Sequence, residues 1–153
     1  MSFATKTLLT LAALACVAAA GLSRPPAAPA VTSELDVLAT VRLIPGRGAT
    51  LAQSGTFSGS PVGGGKIRLS TRLGQGSGAV FSFVMSSPRG TLRGSGSIAL
   101  TFRGSTVSYS GTASITGGTG AFARHRARGL RVSGRELLDT DTFRFRMAGR
   151  VSY

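Results

Sequence analysis

Few residues in this sequence are of a type and spacing that could do chemistry: one histidine, five carboxylates and a glycine-rich step. Gly118-Thr119-Gly120-Ala121-Phe122-Ala123 matches the G-x-G-x-x-G/A pattern, whose glycines bring a pyrophosphate against the backbone at a helix N-terminus. That chemistry needs an amphipathic helix directly afterwards and an acidic residue about 20 positions on to hold the ribose. Glu136 stands near that distance, but FARHRARGLRVSG carries no apolar stripe at helical spacing and is broken by Gly129 and Gly134. The step therefore reads as a hairpin turn without a nucleotide role, and no cofactor is expected. A phosphate-cradling loop at Gly63 to Lys66 fails as well: Ser60 replaces the leading glycine, and Ile67 stands where Ser or Thr would bind the metal.

His125 lies among Arg124, Arg126 and Arg128, which lower its basicity and repel metal ions, so it reads as a solvated flank of the hairpin. Glu136, Asp139 and Asp141 lack the ligand density of a calcium loop and read as a turn whose acids face nearby arginines. Serines are plentiful, yet no G-x-S-x-G elbow and no second base accompany them. No metal site is expected and no catalytic residue can be named, so the reading leans away from an enzyme.

Two rows of residues remain. Arg144, Arg146 and Arg150 alternate along the last segment, about 7 Å apart on one face of a strand, a spacing that suits a polyanion such as an anionic polysaccharide. The opposite row, Phe143, Phe145, Met147, Gly149, Val151 and Tyr153, is apolar. With Phe81, Phe83 and Met85, with Ile98, Leu100 and Phe102, and with Tyr109, it forms an inward lining free of ionisable groups, in which Gly149 leaves room. The residues expected to face a ligand are Phe81, Phe83, Phe102, Tyr109, Phe143, Phe145, Met147 and Tyr153.

The elements that position these rows are strands. Apolar residues recur at period two through Leu35–Ile44, Ala52–Ser58, Lys66–Leu73, Gly78–Ser86, Thr91–Phe102, Thr106–Ile115, Arg128–Ser133 and Thr142–Tyr153. Glycine-rich links such as Gly63-Gly64-Gly65, Gly74-Gln75-Gly76 and Arg103-Gly104-Ser105 join them as tight turns. Short links between successive strands make an antiparallel meander, and eight strands with one apolar row each close most economically into an up-and-down, calycin-like barrel. Gly94, Gly96 and Gly111 are candidate bend or bulge points for closure.

Tyr109 to Gly134 resembles the strand–GGTG–strand hairpin of the dirigent and allene oxide cyclase-like barrels, in the residues Ile115, Gly117, Gly118, Thr119, Gly120 and Phe122, then Ala127 and Gly129. Elsewhere the similarity extends to strand count, to GTFSG at Gly55 to Gly59 and to glycine rhythm. The resemblance implies an eight-stranded barrel, often a trimer, with an apolar ligand cavity. It places neither that family's catalytic acid nor its polar cavity residues on an inward position of this chain.

The first thirty residues read as an export signal followed by a short Pro/Ala linker. Lys6 precedes the apolar run Leu8 to Leu22, too short and alanine-rich for a membrane span, and small-residue cleavage sites precede Gly21 and Val31. Cys16, the single cysteine, sits inside that run with Ala13 three positions before it, where lipidation would want a large aliphatic residue; a lipid anchor is the minor alternative. Residues 31–153 then form one domain without disulfides, secreted and without a membrane span. The formal net charge is +13, and every cation except Lys6 and Lys66 is arginine, so the surface attracts polyanions generally without specifying nucleic acid. Three functions fit: binding of a small apolar or aromatic molecule inside the barrel with possible guidance of its chemistry, attachment of the Arg-rich exterior to an anionic polymer, or a cyclase or isomerase acting through cavity shape.

Overall fold

The computed structural model describes residues 30–45, 49–137 and 139–153. The segment expected to be an export signal, with Cys16 inside it, lies outside the described residues. Eight strands follow one another: β1 Thr32–Ile44, β2 Thr50–Ser60, β3 Gly63–Leu73, β4 Gly78–Ser87, β5 Gly90–Arg103, β6 Thr106–Gly118, β7 Ala127–Leu137 and β8 Thr142–Ser152. Each pairs antiparallel with the next, and β8 pairs back onto β1 from Thr32↔Ser152 to Arg42↔Thr142, so the sheet closes as an up-and-down barrel.

Alternation decides which side chains face in. Leu35, Val37, Ala39 and Val41 of β1 are buried, as are Ala79, Phe81, Phe83 and Met85 of β4, while the residues between them on each strand are mostly exposed. A slip of one residue would carry every apolar group to the solvent face, which holds the register.

Two glycine segments lie inside strands and not in turns. Gly63-Gly64-Gly65 opens β3, the β2–β3 link being Pro61-Val62, and Gly117-Gly118 closes β6 opposite Arg93 and Leu92. At Gly65 a Cβ would meet the Ser86 carbonyl oxygen and the Phe57 ring, so only glycine lets the neighbouring strand and the ring approach. Closure uses bulges: the β5–β6 register shifts at Arg93/Gly94, and β7 carries an extra residue opposite Ala113–Ile115, where Gly129 takes φ +67°. Gly96 and Gly111 stay in register; a Cβ on Gly96 would meet the Phe81 ring, and one on Gly111 the Ser97 backbone.

The two ends of the barrel differ. At one end the β6–β7 connection folds inward as a single 3₁₀ turn, Gly120–Phe122, and drives the Phe122 ring into the buried core cluster that also holds Val62 and Leu92. The connection is pinned to the β4–β5 link by the Ala121 amide, which donates to the Arg89 carbonyl at 2.9 Å, and to the start of β5 by the Thr119 amide, which donates to the Thr91 carbonyl at 2.9 Å. The opposite end carries the links between β1 and β2, β3 and β4, β5 and β6, and β7 and β8, and it opens into a cavity.

Candidate functional site: a cavity at the open end of the barrel

The cavity has a volume of about 160 Å³ and is walled by all eight strands. Its apolar walls come from Val41, Leu51, Leu69 and Leu73, from Ala79 and Phe81, and from Ile98, Leu100 and Phe102. Val107, Tyr109, Val132, Phe143 and Phe145 complete them. Three polar side chains interrupt this lining: Gln53 of β2, Thr71 of β3 and Glu136 of β7. Thr71 Oγ1 donates to Gln53 Oε1 at 3.2 Å, a buried pair that satisfies part of both side chains. No arginine or lysine lines the cavity, because the strand ends put Arg42, Arg72 and Arg103 on the outer face.

Of the residues expected to face a ligand, Phe81, Phe102, Tyr109, Phe143 and Phe145 meet at this cavity, and Phe102 reaches its rim, 59% exposed. The other three do not line it. Phe83 and Met147 point inward but lie deeper, in the filled part of the barrel, where the Phe83 ring rests on Gly94. Tyr153 lies outside the barrel at the closed end, its ring stacked on His125 with centroids 5.0 Å apart. Gly149 is no gap either: it takes φ +150°, and a Cβ there would stand 3.0 Å from Leu130.

Glu136 corrects the expectation of a lining free of ionisable groups. β7 continues to Leu137, and the row Leu130, Val132, Gly134, Glu136 carries the carboxyl inward, away from the arginines of the outer face. Among the described residues no group hydrogen-bonds its buried Oε2. Withdrawal from water pushes its pKa from 4.5 up to about 7. Across the β6–β7 pair stands Tyr109, whose ring packs against Gly134 and whose hydroxyl donates to the Arg144 carbonyl oxygen. Burial first, and then the Glu136 charge, push the Tyr109 hydroxyl pKa well above its ordinary 10. The phenol therefore stays protonated and serves as a fixed wall, while the carboxyl is the group able to exchange a proton near neutrality.

His125 is also corrected. It is buried, 8% exposed, between Tyr153 and the edge of Phe122, where the ring centroids are 5.1 Å apart, and it helps plug the closed end. Desolvation, with the Arg89 charge adding to it, lowers its pKa. The run of arginines around it concealed this, since an inward turn of the chain and not its neighbours' polarity decides its burial.

The arginine row proves largely partnered. Arg146 makes a bidentate pair with Asp36 of β1, with Nε to Oδ1 at 2.7 Å and Nη2 to Oδ2 at 2.6 Å, and Arg150 stands 3.5 Å from Glu34. The β1–β8 register sets Glu34 directly opposite Arg150 and Asp36 diagonally across from Arg146, and the Arg146 hydrogen bond holds the Asp36 carboxyl below its ordinary pKa. Of the three, only Arg144 has no carboxylate partner among the described residues. Nor do three or more His, Cys, Asp or Glu side chains of the described residues gather as a metal would require.

Fold and site together define a closed eight-stranded antiparallel barrel with one sealed end and one open, acid-bearing apolar cavity. Compared with known protein families, with curated protein sequences and with solved structures, the chain matches none.

Proposed function

We propose that this protein is a secreted barrel that takes a small apolar or aromatic molecule into the cavity at its open end, in the manner of the dirigent-like barrels that its GGTG hairpin resembles. The observation that carries this reading is the lining: five aromatic rings and a ring of aliphatic groups around an open-ended volume of about 160 Å³. Apolar cavities near 150 Å³ hold a benzene-sized molecule, so the occupant is about one ring in size. Burying such a ring contributes roughly 1.5 to 3 kcal/mol, and the rest of the affinity comes from the enclosing aliphatic walls and the polar groups. Titration with an environment-sensitive apolar dye and with one-ring ligands tests this. The wild type should bind saturably, and Ala79→Leu, which places a larger side chain in the cavity, should abolish binding while the protein stays folded. Equal binding by both forms would put the ligand elsewhere.

One observation supports a second role on the exterior. All five carboxylates lie at positions 34, 36, 136, 139 and 141, so the outer face of β3 to β5 carries none. There Arg68, Val84 and Arg93 stand side by side across three strands, with Ser70, Ser82 and Ser95 alongside. An anionic polysaccharide would meet unpaired cations on this face more readily than along Arg144, Arg146 and Arg150. Replacing Arg68 and Arg93 with Ser should reduce retention on an anionic matrix more than replacing Arg146 and Arg150; the reverse ranking would return the contact to β8.

A further inference from the structure

We infer that the cavity selects a positively charged amine on a one-ring apolar body, with the ammonium seated against Glu136 and the ring between Phe81, Tyr109 and Phe143. This rests on the cavity's being a ligand site and specifies what enters it.

Three features of the cavity lead here. Its acidic oxygen, Glu136 Oε2, is buried without a hydrogen-bond partner among the described residues, so a donor brought by a ligand would satisfy a group whose isolation is costly. No cation lines the cavity to compete for that carboxylate. The remaining polar pair, Gln53 and Thr71, sits on β2 and β3, three and four strands around the barrel from β7, and is hydrogen-bonded to itself, which leaves Glu136 as the sole charge for a ligand to meet. A carboxylate ligand would place two negative charges in one desolvated volume. A neutral hydrocarbon would leave Oε2 unsatisfied.

The groups facing Glu136 simplify its titration. From β6 it faces Val107 and Tyr109, and Tyr109 remains a neutral phenol; from β8 the cavity presents Phe143 and Phe145, which do not titrate. On β7 itself Arg135 lies on the outer row. His125 is at the sealed end of the barrel.

Calorimetric or fluorescence-displacement titration with benzylamine, and with benzyl alcohol as its neutral counterpart, tests the inference on the full chain. Benzylamine should bind more tightly than benzyl alcohol. Its affinity should rise about tenfold from pH 6 to pH 8, as a carboxyl titrating at about 7 passes from mostly protonated to mostly ionised. Glu136→Gln should remove both the preference and the slope while retaining benzyl alcohol binding. Equal, pH-independent binding of both probes by the wild type would overturn the amine assignment and leave the cavity a plain apolar site. Affinity for benzyl alcohol that falls with rising pH, with benzylamine bound weakly or not at all, would overturn it in favour of a protonated Glu136 donating to a neutral acceptor. Binding of neither probe nor of the apolar dye would overturn the ligand-site reading itself.

Discussion

The two halves of the barrel interior are built from the same alternating rows and end in opposite states. Toward the sealed end, Phe122, Leu35, Ile67, Met85, Leu92, Leu130, Met147 and Val151 are all less than 2% exposed. Toward the open end, Leu69, Ile98, Leu100 and Phe143 are only partly buried, and Ala79, Gln53, Thr71 and Glu136 stand among them. The difference teaches that alternation along a strand settles direction, inward or outward, whereas the sizes of the residues that meet at one height of the barrel settle whether that height is filled. Packing is concentrated in one half, and the proposed recognition falls in the other.

The strongest way to break this contrast is to truncate one residue in each half. Leu130→Ala or Met147→Ala should lower unfolding free energy by about 2 to 5 kcal/mol, the range for opening a cavity in a packed core. Leu100→Ala, whose side chain already faces the open cavity, should lower it by about 1 kcal/mol. Urea denaturation of the three variants measures the gap, and equal losses would mean that the halves are equally packed.

Enlargement sharpens the comparison from the other side. Gly149→Leu, at a positive φ and against Leu130, should destabilise by about 1 to 3 kcal/mol through overpacking and leave dye binding intact. Ala79→Leu should do the reverse, with folding changed by less than about 1 kcal/mol and the dye excluded. Melting temperature and dye affinity, read on the same samples, separate the two.

A smaller effect belongs to Glu136. Its carboxyl binds a proton more tightly folded than unfolded, so stability declines as pH rises from 4.5 toward about 7 and levels off above that. Partial exposure screens the term to roughly 1 kcal/mol. His125, with a lowered pKa, acts oppositely: its contribution is lost as pH falls below its ordinary 6.5. The difference between wild type and Glu136→Gln therefore isolates the carboxyl. That difference should grow between pH 4.5 and 7, and a difference that stays constant with pH would remove Glu136 from the desolvated wall. The smallest effect is expected outside both halves, where Asp36→Asn should lower the melting temperature slightly at low salt and not at high salt, since the pair with Arg146 is on the surface.

The period-two pattern was enough to read eight strands and a closed antiparallel barrel, because each strand has one wet and one dry face. It was not enough to read height. Phe81 and Phe83 are two residues apart on one row, and one lines the cavity while the other is packed below it. Glu136 was hidden because the charged neighbours in GRELLDTDT resemble a turn, yet the parity of Leu130, Val132 and Gly134 already pointed it inward once β7 ran on to Leu137. His125 and Tyr153 could not be paired from sequence, since their contact joins the β6–β7 connection to the last residue across the end of the barrel. The pairing of Arg146 and Arg150 with Asp36 and Glu34 depends in the same way on barrel closure, which brings residues more than a hundred positions apart into register.

The seam between β1 and β8 has one more consequence. The Tyr153 amide donates to the Val31 carbonyl at 3.0 Å, so the chain enters and leaves the barrel side by side at the sealed pole. A tether, a surface anchor or a fused partner attached at either point would hold the protein by its base and leave the mouth facing away, like a cup held by its foot. The same proximity lets residues 31 and 153 be joined by a short linker in a circular permutant of the barrel, with a new opening cut in a link at the open rim.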